Sequence, residues 1–91
     1  MKEYNPNPPQ TTFSEPELNK FYGAKDSDNN KFFITEDVQI FKFVVVNKNL
    51  RNLNASYRDR HLGDLVSMLY NKQYKIYEFD TAKELYLWLA E

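Results

Sequence analysis

A polar stretch in the first half of the chain contains the side chains best spaced to hold a metal ion. Asp26, Asp28, Asn30 and Asp37 stand at positions 1, 3, 5 and 12 of a twelve-residue window. Oxygen-bearing side chains at these positions are typical of loops that coordinate calcium, a hard cation that prefers oxygen ligands. The window therefore leaves a choice between a calcium loop and a polar turn that connects two strands.

The window resembles an EF-hand loop at these positions but departs from it where the geometry is strict. Position 6, where the sharp turn requires glycine, is Lys31, whose positive charge is a poor neighbour for a cation. Asp37 replaces the longer Glu that normally chelates with both oxygens. Residues 31–35 follow the apolar pattern of a strand, and Asp and Asn stabilise turns by bonding their own backbone. We therefore expect a turn at residues 26–30 and no metal site.

Other reactive groups are few. His61 is the only histidine; Asp59 and Asp64 are near it in sequence, and Ser56 and Ser67 are the candidate nucleophiles. A lone histidine on a short helix is more often a surface residue than a catalytic base. The chain has no cysteine and two glycines, which excludes thiolate chemistry, cysteine-ligated metals and a glycine-rich phosphate loop. We therefore expect no catalytic residue, no enzymatic activity and no cofactor.

Basic and aromatic side chains concentrate instead in residues 48–61. The residues with which we expect this segment to bind a partner are Lys48, Arg51, Tyr57, Arg58 and Arg60. Arginine makes bidentate contacts with carboxylate and phosphate and stacks on flat rings. Arg and Tyr are also enriched at the tightest contacts of protein interfaces. The competing interpretation is a solvated loop and helix face in which Asp59 balances the arginines.

The charge distribution agrees with a binding role for this segment. The net charge is −1, but residues 1–37 carry −3, residues 38–75 carry +5 and residues 76–91 carry −3. A basic middle between acidic ends indicates either an anionic partner or charge complementarity inside the folded domain. The near-neutral total argues against nucleic acid as the first choice, because its affinity comes largely from neutralising phosphates.

Length and composition limit the chain to one small domain. It has 91 residues, with seven Tyr, seven Phe and one Trp to fill a core or form a partner surface. The N-terminus has no hydrophobic segment, which predicts no signal peptide, and the apolar run Phe43–Val46 is far too short to span a bilayer. These features predict a cytoplasmic protein without membrane contact. The abundance of Asn and of Lys over Arg suggests an AT-rich bacterial or phage genome.

The N-terminal residues differ in composition from the rest of the chain. Three of the first twelve residues are proline, so residues 1–13 are predicted to form a flexible arm. The alternative is a segment that docks on a partner or pairs with a sheet edge. Residues 14–91 are predicted to form the single domain. At residues 20–25 a strand competes with a short helix capped by Ser14, with Pro16 in its first turn.

The remaining elements follow from hydrophobic periodicity. Strands are predicted at residues 31–35, 38–46 and 74–79, and the second of these has two apolar faces, which is typical of a central strand. A first helix is predicted over residues 57–70, begun by a capping-box pattern from Ser56. A second helix follows a similar pattern at Thr81, with a buried stripe of Leu85, Trp88 and Leu89.

This order of elements predicts an α+β fold. We expect a small, mainly antiparallel sheet of three to four strands packed against two helices, in the order β-β-(β)-α-β-α. The first helix is alternatively a right-handed crossover between two parallel strands.

The functional expectation is a small non-enzymatic binding protein. It would act by occupying a macromolecular partner, another protein, as an inhibitor or adaptor. The alternative is a single-stranded nucleic-acid-binding protein that uses the basic central segment and the aromatic residues. Self-association is a further option that the sequence leaves open.

Overall fold

Six strands and two helices are formed by the residues that the computed structural model describes, 2–4 and 19–91. The strands are β1 Lys2–Tyr4, β2 Phe21–Lys25, β3 Lys31–Asp37, β4 Lys42–Val46, β5 Arg58–Asp59 and β6 Lys75–Phe79. The helices are α1 Leu62–Asn71, between β5 and β6, and α2 Ala82–Ala90, after β6.

All six strands belong to one sheet in the order β1-β6-β2-β3-β4-β5, and every neighbouring pair is antiparallel. β2, β3 and β4 form two successive hairpins, while β6 inserts between β1 and β2. The pairings make β5 and β6 run in the same direction, although three strands separate them. α1 therefore crosses the sheet from one edge towards the other.

The α+β class, the antiparallel sheet and the two helices are confirmed, but the predicted number of strands was wrong. The two additional strands are β1 and β5, which have three and two residues and form the two edges of the sheet. Segments this short carry no periodic pattern, so their pairing depends on strands that are distant in sequence. β1 pairs with β6, where Tyr4 lies opposite Ile76.

The helices cover opposite faces of the sheet. The buried cluster on the α1 side contains Tyr4, Tyr22, Ala24, Ile34, Val45, Leu62, Leu65, Val66, Leu69 and Ile76. The cluster on the α2 side contains Phe33, Val44, Val46, Phe79, Leu85, Trp88 and Leu89. Alternate residues of a strand point to opposite faces, so β4 contributes to both clusters, as its two apolar faces predicted.

Gly23 in β2 is a point of close approach between the sheet and α2. A Cβ atom at this position would lie 2.5 Å from the Trp88 ring. The Trp88 ring also packs against Phe79, with 5.4 Å between the ring centroids. Glycine is therefore required here for packing.

The twelve-residue window that opens with Asp26 forms a turn followed by β3. The Asp26 carboxylate accepts hydrogen bonds from the backbone N–H groups of Asp28 (2.9 Å) and Asn30 (2.8 Å) and from the Asn30 side chain (3.0 Å). Partial burial raises the pKa of Asp26, but these three bonds outweigh it and lower the pKa overall. Asp37 lies at the far end of β3, so the window does not gather its acids around one point.

The predicted strand at residues 38–46 was too long at its start. Residues 38–41 form the turn between β3 and β4, and the Asp37 carboxylate accepts a hydrogen bond of 3.0 Å from the Gln39 N–H. Because β3 continues to Asp37, the chain must reverse within these four residues. Phe41 makes the reversal in a left-handed conformation with φ of 56°.

The predicted start of the first helix was also wrong. Ser56 does not cap it; its hydroxyl donates to the Asn54 side chain at 2.8 Å, and the Tyr57 N–H donates to the Asn54 carbonyl. This local turn competes with the helix, as short polar side chains commonly do. The chain then forms β5, and α1 begins only after His61, which is its N-cap.

The second helix begins where its capping pattern predicted. The Thr81 hydroxyl accepts a hydrogen bond of 3.2 Å from the Glu84 N–H, and Glu84 accepts one of 3.4 Å from the Asp80 N–H. The predicted stripe of Leu85, Trp88 and Leu89 is buried. Satisfying the free N–H groups in this way stabilises the first turn of α2.

At residues 20–25 the structure contains strand β2, which decides against the short helix at this position. Ser14 and Pro16 lie outside the described residues. Of the predicted N-terminal arm, residues 2–4 form β1, where Tyr4 is buried. Residues 5–13 lie outside the described residues, so for them the arm stays a prediction.

Candidate functional site

The segment from residue 47 to residue 60 follows the outer side of β4 and forms one edge of the sheet. Asn52 forms a bridge with Val46, and the Leu53 N–H donates to the Val45 carbonyl at 2.8 Å. The chain then makes a turn at residues 54–57, after which β5 pairs with the other half of β4. A segment that looked like a loop and a helix start is therefore a continuous, irregular sheet edge.

The five residues predicted to bind a partner all lie along this edge. Lys48 and Arg51 belong to the turn that follows β4, Tyr57 precedes β5, Arg58 is in β5 and Arg60 directly follows it. The four cationic residues are exposed, whereas Tyr57 is half-buried. The structure thus gathers them on one side of the molecule, although they extend along the whole length of β4.

Tyr57 has a structural role in this arrangement. It packs against the buried cluster on the α1 side, and the Lys72 ammonium lies 5.5 Å from the centre of its ring. Burial, followed by the proximity of Tyr57 and Asp26, raises the pKa of the neighbouring Tyr74. The Tyr57 ring therefore connects this edge of the sheet to the buried cluster on the α1 side, and the Lys72 ammonium lies over one of its faces.

Lys42 is a further member of the edge that the sequence did not indicate. Val44 lies directly opposite Arg58, so alternation places Lys42 and Arg58 on the same face of the sheet, and Arg60 directly follows β5. We call Lys42, Lys48, Arg51, Arg58 and Arg60 the basic edge.

Asp59, the acid that would balance the charge of the basic edge, is hydrogen-bonded to the backbone. The Asp59 carboxylate accepts a hydrogen bond of 2.9 Å from the His61 N–H. Within residues 2–4 and 19–91, none of the three arginines forms an ion pair with an acidic side chain. Among the described residues, therefore, no carboxylate occupies the N–H groups of these guanidinium groups.

The turn between β3 and β4 exposes three apolar side chains beside the basic edge. Val38, Ile40 and Phe41 are 69%, 37% and 79% exposed, and we call them the apolar tip. Phe41 combines this exposure with a left-handed backbone, which costs about 1–2 kcal/mol for a residue with a Cβ atom. The sequence did not reveal the tip, because the same residues continue the apolar pattern of β4.

The edge is poorly suited to pairing with a strand from another chain. β5 has only two residues and arginines on both sides of Asp59. Short edge strands with charged side chains are a common protection against strand addition. Recognition at this side of the molecule would therefore use side chains, those of the apolar tip and of the basic edge.

A cleft of 400 Å³ at the opposite end of β3 is the main alternative site. Its walls include Asn29, Asn49, Lys31 and Lys48. Lys31 is already committed, because its ammonium donates to the Trp88 carbonyl at 2.7 Å and so binds the C-terminal end of α2. The cleft thus serves mainly as the junction between two turns and a helix end.

The groups considered for catalysis do not meet. Ser56 is bonded to Asn54, Ser67 lies on α1 and His61 is exposed at the N-cap of that helix. Within the described ranges, no three His, Asp or Glu side chains are grouped so that they could hold a metal ion. None of the described helices is both long enough and apolar enough to cross a membrane.

Comparisons with protein-family models, with curated proteins and with solved structures found no match for this chain.

Proposed function

We propose that the protein is a small non-enzymatic binding module that occupies another protein through its apolar tip and basic edge. The observation that carries this proposal is the apolar tip: Phe41 is 79% exposed in a left-handed turn, and unlike Leu50, which shares both properties, it lies in one turn with two further exposed apolar side chains, Val38 and Ile40. Folding gains nothing from this arrangement, because an exposed ring buries little surface and the backbone conformation costs free energy. Backbone strain of this kind is concentrated at functional positions.

Burial in a partner would recover this cost. Transfer of a Phe side chain from water to a protein interior is worth about 1.5–3 kcal/mol, and Val38 and Ile40 extend the apolar contact. Interfaces are typically anchored by a few such side chains, surrounded by contacts that exclude water. The apolar tip has the composition and the projecting position of an anchor.

The neighbouring cations define the chemistry of the partner. Lys42 directly follows the apolar tip, Arg58 lies on the same face of the adjacent strand β5, and Arg60 directly follows that strand. A matching surface would contain an apolar pocket rimmed by carboxylates. Such complementary charges chiefly increase the rate and selectivity of association.

The module would act by covering the surface of its partner, as an inhibitor or as an adaptor. This role needs no reactive group.

Single-stranded nucleic acid is the second candidate, favoured by the three arginines without an acidic partner among the described residues. Phe41 would be free to stack on a base, but Val38 and Ile40 offer phosphate nothing to bind, and Tyr57 on the edge has Lys72 over its ring. Affinity for nucleic acid would fall steeply as salt is raised. Binding anchored by Phe41 would persist, with a lower rate of association.

The proposal is tested with the purified chain as bait for proteins from its source cells, followed by mass spectrometry. Phe41→Asn removes the anchor and tolerates the left-handed backbone. Leu50→Asn is the matched control, since Leu50 is also exposed and left-handed but lies in the turn at the other end of β4. We expect wild type and Leu50→Asn to retain the same protein and Phe41→Asn to lose it.

A second pair of variants separates the two candidates. Arg58→Glu/Arg60→Glu should slow association with a protein partner, and it should abolish binding to a fluorescent oligonucleotide if nucleic acid is the ligand. Capture of the same protein by wild type and by Phe41→Asn in equal amounts would refute the proposal.

A further inference from the structure

A narrow groove runs along the outer side of α2. Its volume is 200 Å³ and its walls are Phe79, Glu84, Leu87, Trp88 and Glu91. Phe79 and Trp88 form a buried aromatic base, while Leu87 is 61% exposed at the rim. Clefts that hold small-molecule ligands are usually about 300–1,000 Å³. This groove is smaller and suits a single apolar side chain of a macromolecule.

The groove has the opposite charge to the basic edge. Its walls contain two carboxylates, Glu84 and Glu91, and no cation. Glu84 also accepts the capping bond from the Asp80 N–H, and Lys31 approaches Glu91 to 3.7 Å. Even so, an apolar base between two carboxylates is the counterpart that an apolar tip followed by cations requires.

We infer that the partner of the apolar tip is a second copy of this chain, whose α2 groove receives Phe41. This inference rests on the proposed function and identifies its partner. Phe41 would contact Phe79, Leu87 and Trp88, while Lys42, Arg58 and Arg60 would face Glu84 and Glu91. A net charge of −1 removes the long-range repulsion that keeps strongly charged proteins apart.

The contact is between copies because the tip cannot reach the groove of its own molecule. α2 packs on β2 and β6, whereas the apolar tip projects from the β3–β4 end of the sheet. Each copy would therefore use two different surfaces, one as donor and one as acceptor. Such heterologous contacts continue from copy to copy unless the rotation closes a ring.

Sedimentation equilibrium of the purified protein, from micromolar to millimolar concentration, measures this assembly. The wild-type weight-average mass should rise with concentration beyond that of a dimer. Phe41→Asn and Leu87→Gln should each lower the association constant at least about tenfold, as for other interface anchors. Leu50→Asn should behave as wild type, and circular dichroism checks that every variant is folded.

Mixing the two variants provides the decisive result. Phe41→Asn retains its groove and Leu87→Gln retains its tip, so an equimolar mixture has one complete contact and should form a heterodimer that grows no further. A monomeric mixture would overturn the inference, as would a wild type that is monomeric at millimolar concentration and low salt.

Failure of this inference is distinguishable from failure of the proposed function. Tip-to-tip association would be abolished by Phe41→Asn but unaffected by Leu87→Gln, which refutes the groove and leaves the tip as an anchor. A monomeric wild type that captures a different protein through Phe41 has the same meaning. Only binding that is indifferent to Phe41 would remove both proposals.

Discussion

The two hairpin turns that flank β3 both reverse the direction of the chain, but one is polar and the other exposes apolar side chains. The turn at residues 26–30 uses Asn29 in the left-handed region, with φ of 66°, and closes around the Asp26 carboxylate. The turn at residues 38–41 places Phe41 in the same region, with φ of 56°, and exposes three apolar side chains. Asparagine adopts this backbone readily, whereas phenylalanine adopts it rarely and at a cost in free energy.

The difference separates a turn that folding explains from one that it does not. Every polar contact around Asp26 stabilises the folded chain, so folding alone explains why this turn is polar. The apolar tip is costly in the isolated molecule and becomes favourable only when another surface covers it. A polar, locally bonded turn is therefore evidence about stability, and a strained turn that exposes several apolar side chains together is evidence about binding.

The largest effect is expected when the second turn is made as polar as the first. Val38→Ser/Ile40→Ser/Phe41→Asn should weaken binding to the protein partner by at least about 30-fold, because the anchoring contacts are lost. Isothermal titration calorimetry with the captured partner, or sedimentation if the partner is a second copy, measures the change. Unaltered affinity of this variant would remove the functional difference between the two turns.

The β2–β3 hairpin is expected to respond in stability. Gly23→Ala should lower the free energy of unfolding by about 1–3 kcal/mol, because the new methyl group would overlap the Trp88 ring. Urea denaturation measures this change. A double-mutant cycle with Trp88→Phe tests the cause: if the cost is independent of residue 88, the ring is not the obstacle.

Within the polar turn, the Asp26 carboxylate should contribute to the free energy of unfolding and the Asp28 carboxylate should not. Asp26→Ala should lower the free energy of unfolding by about 1–2 kcal/mol, since three hydrogen bonds to the carboxylate are lost. Asp28→Ala is the matched control, because Asp28 contributes only its backbone N–H to this network. Chemical denaturation of both variants gives the comparison, which equal losses would contradict.

Phe41→Asn should stabilise the folded chain while it weakens binding. Relief of the left-handed strain is expected to raise the free energy of unfolding by about 1 kcal/mol. Leu50→Asn, with φ of 63° at the starting residue, should give a similar gain without any loss of binding. Thermal unfolding of both variants provides the test. A destabilised Phe41→Asn would mean that the ring contributes to folding after all.

The smallest effect concerns the dependence of stability on pH. The pKa of Asp26 is lowered in the folded chain from its ordinary value of 3.8. Its contribution to stability is therefore complete above that pH and is lost as the pH falls through the folded-state pKa. Between pH 4 and pH 2, Asp26→Asn should lose less stability than wild type when urea denaturation is followed as a function of pH. Identical pH profiles would show that the carboxylate is not specifically stabilised.

Local sequence was sufficient for the elements whose signals lie within a few residues. The turn at residues 26–30, strands β3 and β6 and the cap of α2 depend on alternation, on Asp and Asn, and on the Thr81 hydroxyl. The hydrogen bonds of the turn and of the cap join residues at most four positions apart, and the two strands are visible in the residue pattern, although their pairing partners are distant. These signals also gave the α+β class and the antiparallel sheet.

The candidate site was only partly contained in that local information. Arg51, Arg58 and Arg60 could be singled out by residue type, and the structure places them on one edge of the sheet. Their neighbours were missed: Lys42 joins them only through the register of β4 and β5, and the apolar tip was hidden in an apparently continuous strand. Tyr57 could not be recognised as half-buried before the position of α1 was known.

The sequence by itself determined which segments prefer to be strand, turn or helix, because those preferences arise from each residue and its nearest neighbours. Only the tertiary structure decided that β1 and β5 form the two edges of the sheet, that the helices occupy opposite faces, and that Phe41 projects into solvent. Each of these depends on contacts between residues far apart in the chain. Such contacts form only when their combined burial exceeds the conformational entropy lost in bringing them together.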